Sequence, residues 1–123
     1  MVASARDGRR GAESYGRFAE RLCRLALRLN GYRILARRLR TPMGEIDIVA
    51  RRGDTLAIVE VKARGAWDAA NEALGARQRG RLARAAHAYL AANPQYAGLV
   101  LRFDVMLVTP WSWPRHLRDA WRA

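Results

Sequence analysis

At 123 residues the chain has the length of one compact domain, and 50% of it is apolar, enough for a packed core and too much for global disorder. Its 23 basic side chains against 11 acidic ones give a formal charge of +12, an excess that points to a polyanionic partner, nucleic acid first. Cys23 is the sole cysteine, which excludes an internal disulfide and a thiolate zinc cluster and suits a reducing cytoplasm. No apolar run approaches the ~18 residues that span a bilayer, and residues 1–11 lack the apolar segment of a signal peptide. A cytoplasmic protein with no membrane partner is expected.

Residues 1–11 are polar and aperiodic and read as a disordered basic arm. Over 14–30, Phe18, Leu22, Leu25 and Leu29 recur at helical spacing with Arg17, Arg21, Arg24 and Arg28 on a different face, and Asn30-Gly31 stops the helix. A short strand follows over 32–40 and ends at Thr41-Pro42. Two clearer strands, 45–51 and 56–64, alternate strictly, so Ile46, Ile48 and Ala50 share one face with Ala57, Val59 and Val61. Residues 69–92 are expected to form a second amphipathic helix, with Leu82, Ala86, Tyr89 and Leu90 on one side and Arg77, Arg81 and Arg84 on the other, and Gly75 and Gly80 are candidate breaks in it. A further strand covers 99–108, and Pro110 and Pro114 bracket a tail, 111–123, rich in Trp and Arg. The order α-β-β-β-α-β over a domain of residues 12–110 predicts an α/β sandwich with a mixed sheet.

The central hairpin carries the chemistry. With Gly53-Asp54 as a two-residue turn, Arg52 faces Thr55, and counting outward Asp47 faces Glu60 and Glu45 faces Lys62. Alternation then sends Glu45, Asp47, Glu60 and Lys62 to the face opposite the isoleucines and valines. Two facing carboxylates have Cβ atoms ~4.5–5.5 Å apart and repel unless a cation lies between them. Mg²⁺ fits such a pair, because it takes one or two carboxylates and completes its shell with water and phosphate. The plainer reading is a solvated hairpin face on which Lys62 pairs with Glu45 and Glu60. Against it stands the choice of cation: Lys62 is the only lysine among the 23 basic residues, placed where a compact ammonium differs in kind from a planar guanidinium.

Several segments together carry a family resemblance: Gly16-x-x-x-Glu20, Gly31-Tyr32-Arg33-Ile34-Leu35, Gly44-Glu45-Ile46-Asp47-Ile48-Val49, Val59-Glu60-Val61-Lys62-Ala63-Arg64 and Arg102-Phe103-Asp104-Val105. Across residues 16–108 the chain resembles the YraN-like family of bacterial proteins, itself similar to Holliday-junction resolvases and to the PD-(D/E)XK nucleases of restriction-endonuclease-like fold. The resemblance implies that Asp47 and Glu60 bind Mg²⁺, for which Mn²⁺ can substitute, that Lys62 positions the attacking water, and that Glu20 reaches the site from the first helix. A salt bridge from Glu20 to Arg24 or Arg17 explains that residue equally well. The chain departs from the family pattern at Arg77-Gln78, where Lys-Gln is usual, and at Arg38, where Asn is frequent.

The function that follows is a metal-dependent endonuclease acting on structured or branched DNA. The alternatives are a non-catalytic nucleic-acid-binding module that keeps the nuclease frame, and an interaction protein whose basic faces serve assembly. Arg77, Gln78, Arg81 and Arg84 are the candidates for phosphate contact, though an Arg-covered solvent face is the ordinary state of such a helix. Asp104 beside Arg102 reads as a structural pair. Trp111, Trp113 and Trp121 read as packing or a dimer contact, and a homodimer is the partner implied by analogy with resolvases, which cut two strands. His87 and His116 lack zinc-ligand spacing.

Overall fold

The computed structural model describes residues 5–63 and 75–123, with side chains in the first helix from Tyr15 onward. Its elements are α1 (Ala5–Leu29), β1 (Arg33–Thr41), β2 (Gly44–Arg52), β3 (Thr55–Ala63), α2 (Ala76–Ala92), β4 (Val100–Val108) and β5 (Arg115–Trp121), with a 3₁₀ turn at Pro94–Tyr96. The expected α/β class and mixed sheet are present, with one strand more than the sequence indicated. Strand order is β1-β2-β3-β4-β5, antiparallel except for the parallel β3–β4 pair, and α2 lies within the crossover that a parallel connection requires.

Each helix covers one face of the sheet. Ala19, Cys23, Ala26 and Leu27 of α1 pack on Ile48, Ala50, Ala57 and Val59, whereas Leu82, Ala85, Ala86 and Tyr89 of α2 pack on Val49, Leu56 and Ile58. The central strands are therefore buried on both sides, and the half-wet hairpin expected from alternation is not what forms. Val49 and Ile58, on the face assigned to the charges, lie under α2.

In α1 the buried stripe lies one residue along from the expected one. Phe18, Leu25 and Leu29 are 57%, 46% and 70% exposed, and the small residues Ala19, Cys23 and Ala26 meet the sheet instead. Both stripes have helical spacing, so periodicity cannot choose between them. Small side chains bring the helix backbone close to the sheet surface, and close packing selects that stripe. The helix begins at Ala5, so most of the segment expected as a disordered arm is helical. Once a helix is nucleated, each added residue gains a hydrogen bond. It ends as expected: Gly31 takes φ +84, its N–H donates to the Arg28 carbonyl at 3.0 Å, and the Tyr32 N–H donates to the Leu27 carbonyl at 3.0 Å, a Schellman cap.

Gly75 caps the N-terminus of α2, and Gly80 sits inside that helix without breaking it; residues 69–74 of the expected helix lie outside the described residues. The Trp-rich tail is corrected to sheet structure. β5 pairs with β4, and Trp121, 8% exposed, stacks on Phe103 with ring centroids 4.1 Å apart. Trp111 and Trp113 remain exposed.

Candidate active site

The hairpin register matches the sequence count from Arg52↔Thr55 to Ile48↔Val59. Gly53, the first turn residue, has φ +58, the position a II′ turn gives to glycine. Beyond Ile48↔Val59 the β2–β3 pairing ends, while β2 stays paired with β1 to Gly44 and β3 stays paired with β4 to Ala63. The two central strands part at Asp47, so the expected Asp47–Glu60 register pair does not form. Asp47 Oδ2 accepts the Val61 N–H at 2.8 Å, a side-chain bond where a continued ladder would supply a backbone carbonyl.

Alternation fails at the same point. Ile46 packs with the α2 cluster and Ile48 with the α1 cluster, although they are two residues apart. On β1 their partners Leu39 and Arg37 flank Arg38, whose φ of +47 is left-handed, a conformation costing about 1–2 kcal/mol for a residue with a Cβ. One consequence corrects an expected pair: Glu45 does not face Lys62, and is instead exposed opposite Arg40 on β1.

A cavity of about 420 Å³ opens at the split, lined by Glu20, Asp47, Glu60 and Lys62 together with Tyr15 and Gly16 of α1. The structure thus brings together the four residues singled out for catalysis. Asp47 and Glu60 share a hydrogen bond. Gln78 reaches in from α2, donating to Glu60 Oε1 at 3.1 Å and accepting from Lys62 Nζ at 3.5 Å, and that Nζ lies 3.9 Å from Glu60 Oε1. Lys62 is 8% exposed. Gln78, read from sequence as a phosphate contact, is therefore part of the charged cluster and fixes the distance between its acid and its cation.

Burial is the main electrostatic fact. It pushes the Glu60 carboxyl up to about 8, helped by the Asp47 charge and opposed by Lys62. Asp47 is also raised, by burial above all, against the Val61 N–H and the Glu60 hydrogen bond that favour its charged form. Near neutral pH the two carboxyls hold one proton between them, as close acid pairs do. A divalent cation fits the same two oxygen donors in place of that proton. Among the described residues no group of three or more His, Cys, Asp or Glu side chains is arranged to hold a metal, so two carboxylates are the protein's share of such a site.

Glu20 lines the cavity but bonds to neither Arg24 nor Arg17. Its Oε2 accepts from Arg38 Nε at 2.7 Å, tying α1 to β1 beside Asp47. Sequence reasoning missed Arg38 as a site neighbour; its one signal was the departure from Asn, a residue that tolerates left-handed φ far better than Arg. Arg77, Arg81 and Arg84 are exposed on α2 and are not among the residues that line the cavity.

Asp104 belongs to a different assembly. Fully buried, it accepts from Arg102 at 2.7 and 2.8 Å and from the Asp119 N–H at 3.0 Å, and lies 2.7 Å from His116 Nε2. Burial raises its pKa, yet the His116, Arg102 and Asp119 hydrogen bonds outweigh that and hold it at about 2. It locks β4 to β5, in keeping with a structural pair. Cys23 is buried, with its thiol pushed up to about 12 mainly by desolvation, and is unreactive there.

The chain matches the uncharacterised protein family UPF0102 over residues 19–108, a span holding every acid and base of the cavity. A UPF0102 protein of Parvibaculum lavamentivorans is 64% identical over 104 residues, covering 85% of this chain and 78% of that one. One from Methylocella silvestris is 51% identical over 93% of this chain and 92% of its own length, and one from Chelativorans sp. is 48% identical over 100% and 99%. With the family matched across the sheet and the cavity, and relatives of nearly equal length covered almost end to end, this chain belongs to the UPF0102 family.

Proposed function

We propose that this protein is a Mg²⁺-dependent endonuclease of the PD-(D/E)XK type, with a restriction-endonuclease-like sandwich, acting on structured or branched DNA. The observation that carries the reading is the Asp47–Glu60 pair: two desolvated carboxyls held against each other in an open cavity, beside the only lysine of an arginine-rich chain. Such a pair is unfavourable in itself, and close, repelling acids with displaced pKa values gather at functional sites.

Asp47 and Glu60 would hold the ion. When bound, a divalent cation supplies Lewis acidity, polarising a phosphoryl oxygen and acidifying a water. The remaining work falls to the protein's own groups. Lys62 Nζ, kept in place by Gln78, orients the attacking water and offsets negative charge as it develops on the phosphate. The Val61 N–H fixes the Asp47 carboxylate in the split between strands, and the Glu20–Arg38 pair closes the α1 side. Arg77, Arg81 and Arg84 supply phosphate contacts outside the cavity, where charge neutralisation with counterion release gives affinity without sequence preference.

A panel of junction, flap, single-stranded and duplex DNA, plus RNA, incubated with Mg²⁺ or Mn²⁺, tests this directly. Cleavage that is lost in Asp47→Ala and Lys62→Arg is the expected result. Tight binding without cleavage on any substrate would leave the non-catalytic module, and neither binding nor cleavage would leave an assembly role.

A further inference from the structure

A second cavity, about 230 Å³, lies between α1 and β1 and is lined by Arg17, Arg21, Arg24, Arg37 and Arg38. Two features of the chain build it. Arg17, Arg21 and Arg24 recur at i, i+4 and i+7, so α1 presents them as one row. On β1 a regular strand would send Arg37 and Arg38 to opposite faces, but the left-handed φ of +47 at Arg38 breaks alternation and both line the same cavity.

The arrangement is unfavourable as it stands. Arg24 is 8% exposed, and among the described residues Arg17, Arg21, Arg24 and Arg37 make no hydrogen bond or ion pair with a carboxylate; Glu20 bonds to Arg38 and acts on Arg24 only through its charge. Burial and the facing Arg37 lower the Arg24 pKa and outweigh the Glu20 charge that raises it, as for a cation packed among cations. Five guanidiniums around one cavity, with a single carboxylate bonded among them, repel one another, and backbone strain on the opposite wall adds to the cost. The repulsion is relieved if an anion with several acceptor oxygens enters, because guanidinium forks match phosphate geometry in two-point bonds. The space holds several molecules of ~30 Å³, the share of one water, and so accommodates a phosphate group.

We propose that the α1–β1 arginine cavity is a phosphate site that holds a backbone phosphate of the polynucleotide next to the Asp47–Glu60 cavity. The assignment rests on the nucleic-acid reading above and adds the place where the strand is gripped. Continuity supports it: a shallow cavity lined by Gly16, Arg17, Glu20, Arg38, Arg40 and Glu45 shares Arg17 and Arg38 with the arginine cavity and Gly16 and Glu20 with the carboxylate cavity. The Glu20–Arg38 bridge stands between the two, and a strand lying along this track passes from guanidiniums to paired carboxylates.

The test is equilibrium binding of a labelled short duplex in EDTA, so that no cleavage is involved, across ~50 to ~200 mM salt. Arg24→Gln with Arg37→Gln should weaken binding by about tenfold or more and make the salt slope shallower by about two, one per lost phosphate contact. Arg115→Gln with Arg118→Gln removes the same charge from the opposite edge strand and should weaken binding less than ~3-fold. Equal losses in the two pairs would overturn the proposal, because bulk charge would then explain everything. Arg37→Gln alone, at an exposed position, keeps the question answerable if the double change impairs folding. In parallel, inorganic phosphate should raise the melting temperature of the wild type more than that of the Arg24/Arg37 variant. Stabilisation by inorganic phosphate with no duplex binding would refute both the backbone assignment and the nucleic-acid reading, and would identify a free phosphate as the ligand. Selective loss of binding in a protein that cuts nothing with Mg²⁺ would uphold the cavity and refute only the nuclease.

Discussion

Glu60→Gln should make the metal-free protein more stable, and by an amount that depends on pH. The amide is isosteric, still accepts from Gln78, and donates to Asp47 as the protonated carboxyl does. Below pH ~4.5 the wild-type carboxyl is protonated in folded and unfolded chains alike, so the substitution should be nearly neutral. As pH rises from there, the unfolded chain ionises freely while the folded one keeps its proton until about 8, so the wild type loses stability through this window and the variant does not. A rise from 4.5 to about 8 is worth ~5 kcal/mol at ~1.36 kcal/mol per pH unit. The cavity is open to water, which screens the repulsion, so roughly half of this, ~2–3 kcal/mol, is the expected gain at pH 9. For a chain of 123 residues that corresponds to ~8–12 °C in melting temperature. Melting curves by circular dichroism in EDTA from pH 5 to 9 measure it. A difference between variant and wild type that stays constant across the range, or a less stable variant at pH 9, would refute the account of the pair as a strained, proton-sharing acid couple. Added Mg²⁺ should reverse the order by stabilising only the wild type.

Lys62→Arg should remove at least ~100-fold of the cleavage rate, read in single-turnover assays, while binding survives, because the larger planar group cannot occupy the nearly buried ammonium position beside Gln78. Replacing Arg77, Arg81 and Arg84 together should weaken DNA binding across all sequences and leave Mg²⁺ affinity unchanged; unaltered binding in a filter assay would reduce these residues to a solvated face. Asp104→Ala should destabilise by ~3–5 kcal/mol at neutral pH, since it leaves Arg102 without its carboxylate. The Asp104 contribution is present above the ordinary carboxylate pKa of 3.8 and is lost as pH falls through about 2, so the gap between variant and wild type in acid denaturation should close there. Trp121→Ala should cost ~3–5 kcal/mol, as expected for an aromatic stacked in the core and not for a free tail.

Local information was enough for most of the elements, though not for β5 or the first turns of α1, and for the residue types of the central hairpin. Period-2 and helical patterns located β2, β3, β4 and the two helices, Gly53-Asp54 set the register from Arg52↔Thr55 to Ile48↔Val59, and residue types marked Asp47, Glu60 and Lys62. Such signals repeat every two to four residues and need only near neighbours to be read. Three matters depended on distant contacts. The choice between the Phe18 and Ala19 stripes of α1 was made by fit against the sheet, which helical periodicity does not encode. The burial of β2 and β3 on both faces came from α2, separated from them in sequence, and it turned a wet hairpin face into a desolvated acid pair. The parting of the strands at Asp47 and the left-handed Arg38 beside the arginine cavity are set by how β1, β2 and β3 pair with one another and with β4, which no local pattern encodes. Sequence alone determined which charges the protein carries and how they are spaced; the tertiary structure decided which of them are stripped of water, and burial is what gives a charge its chemistry.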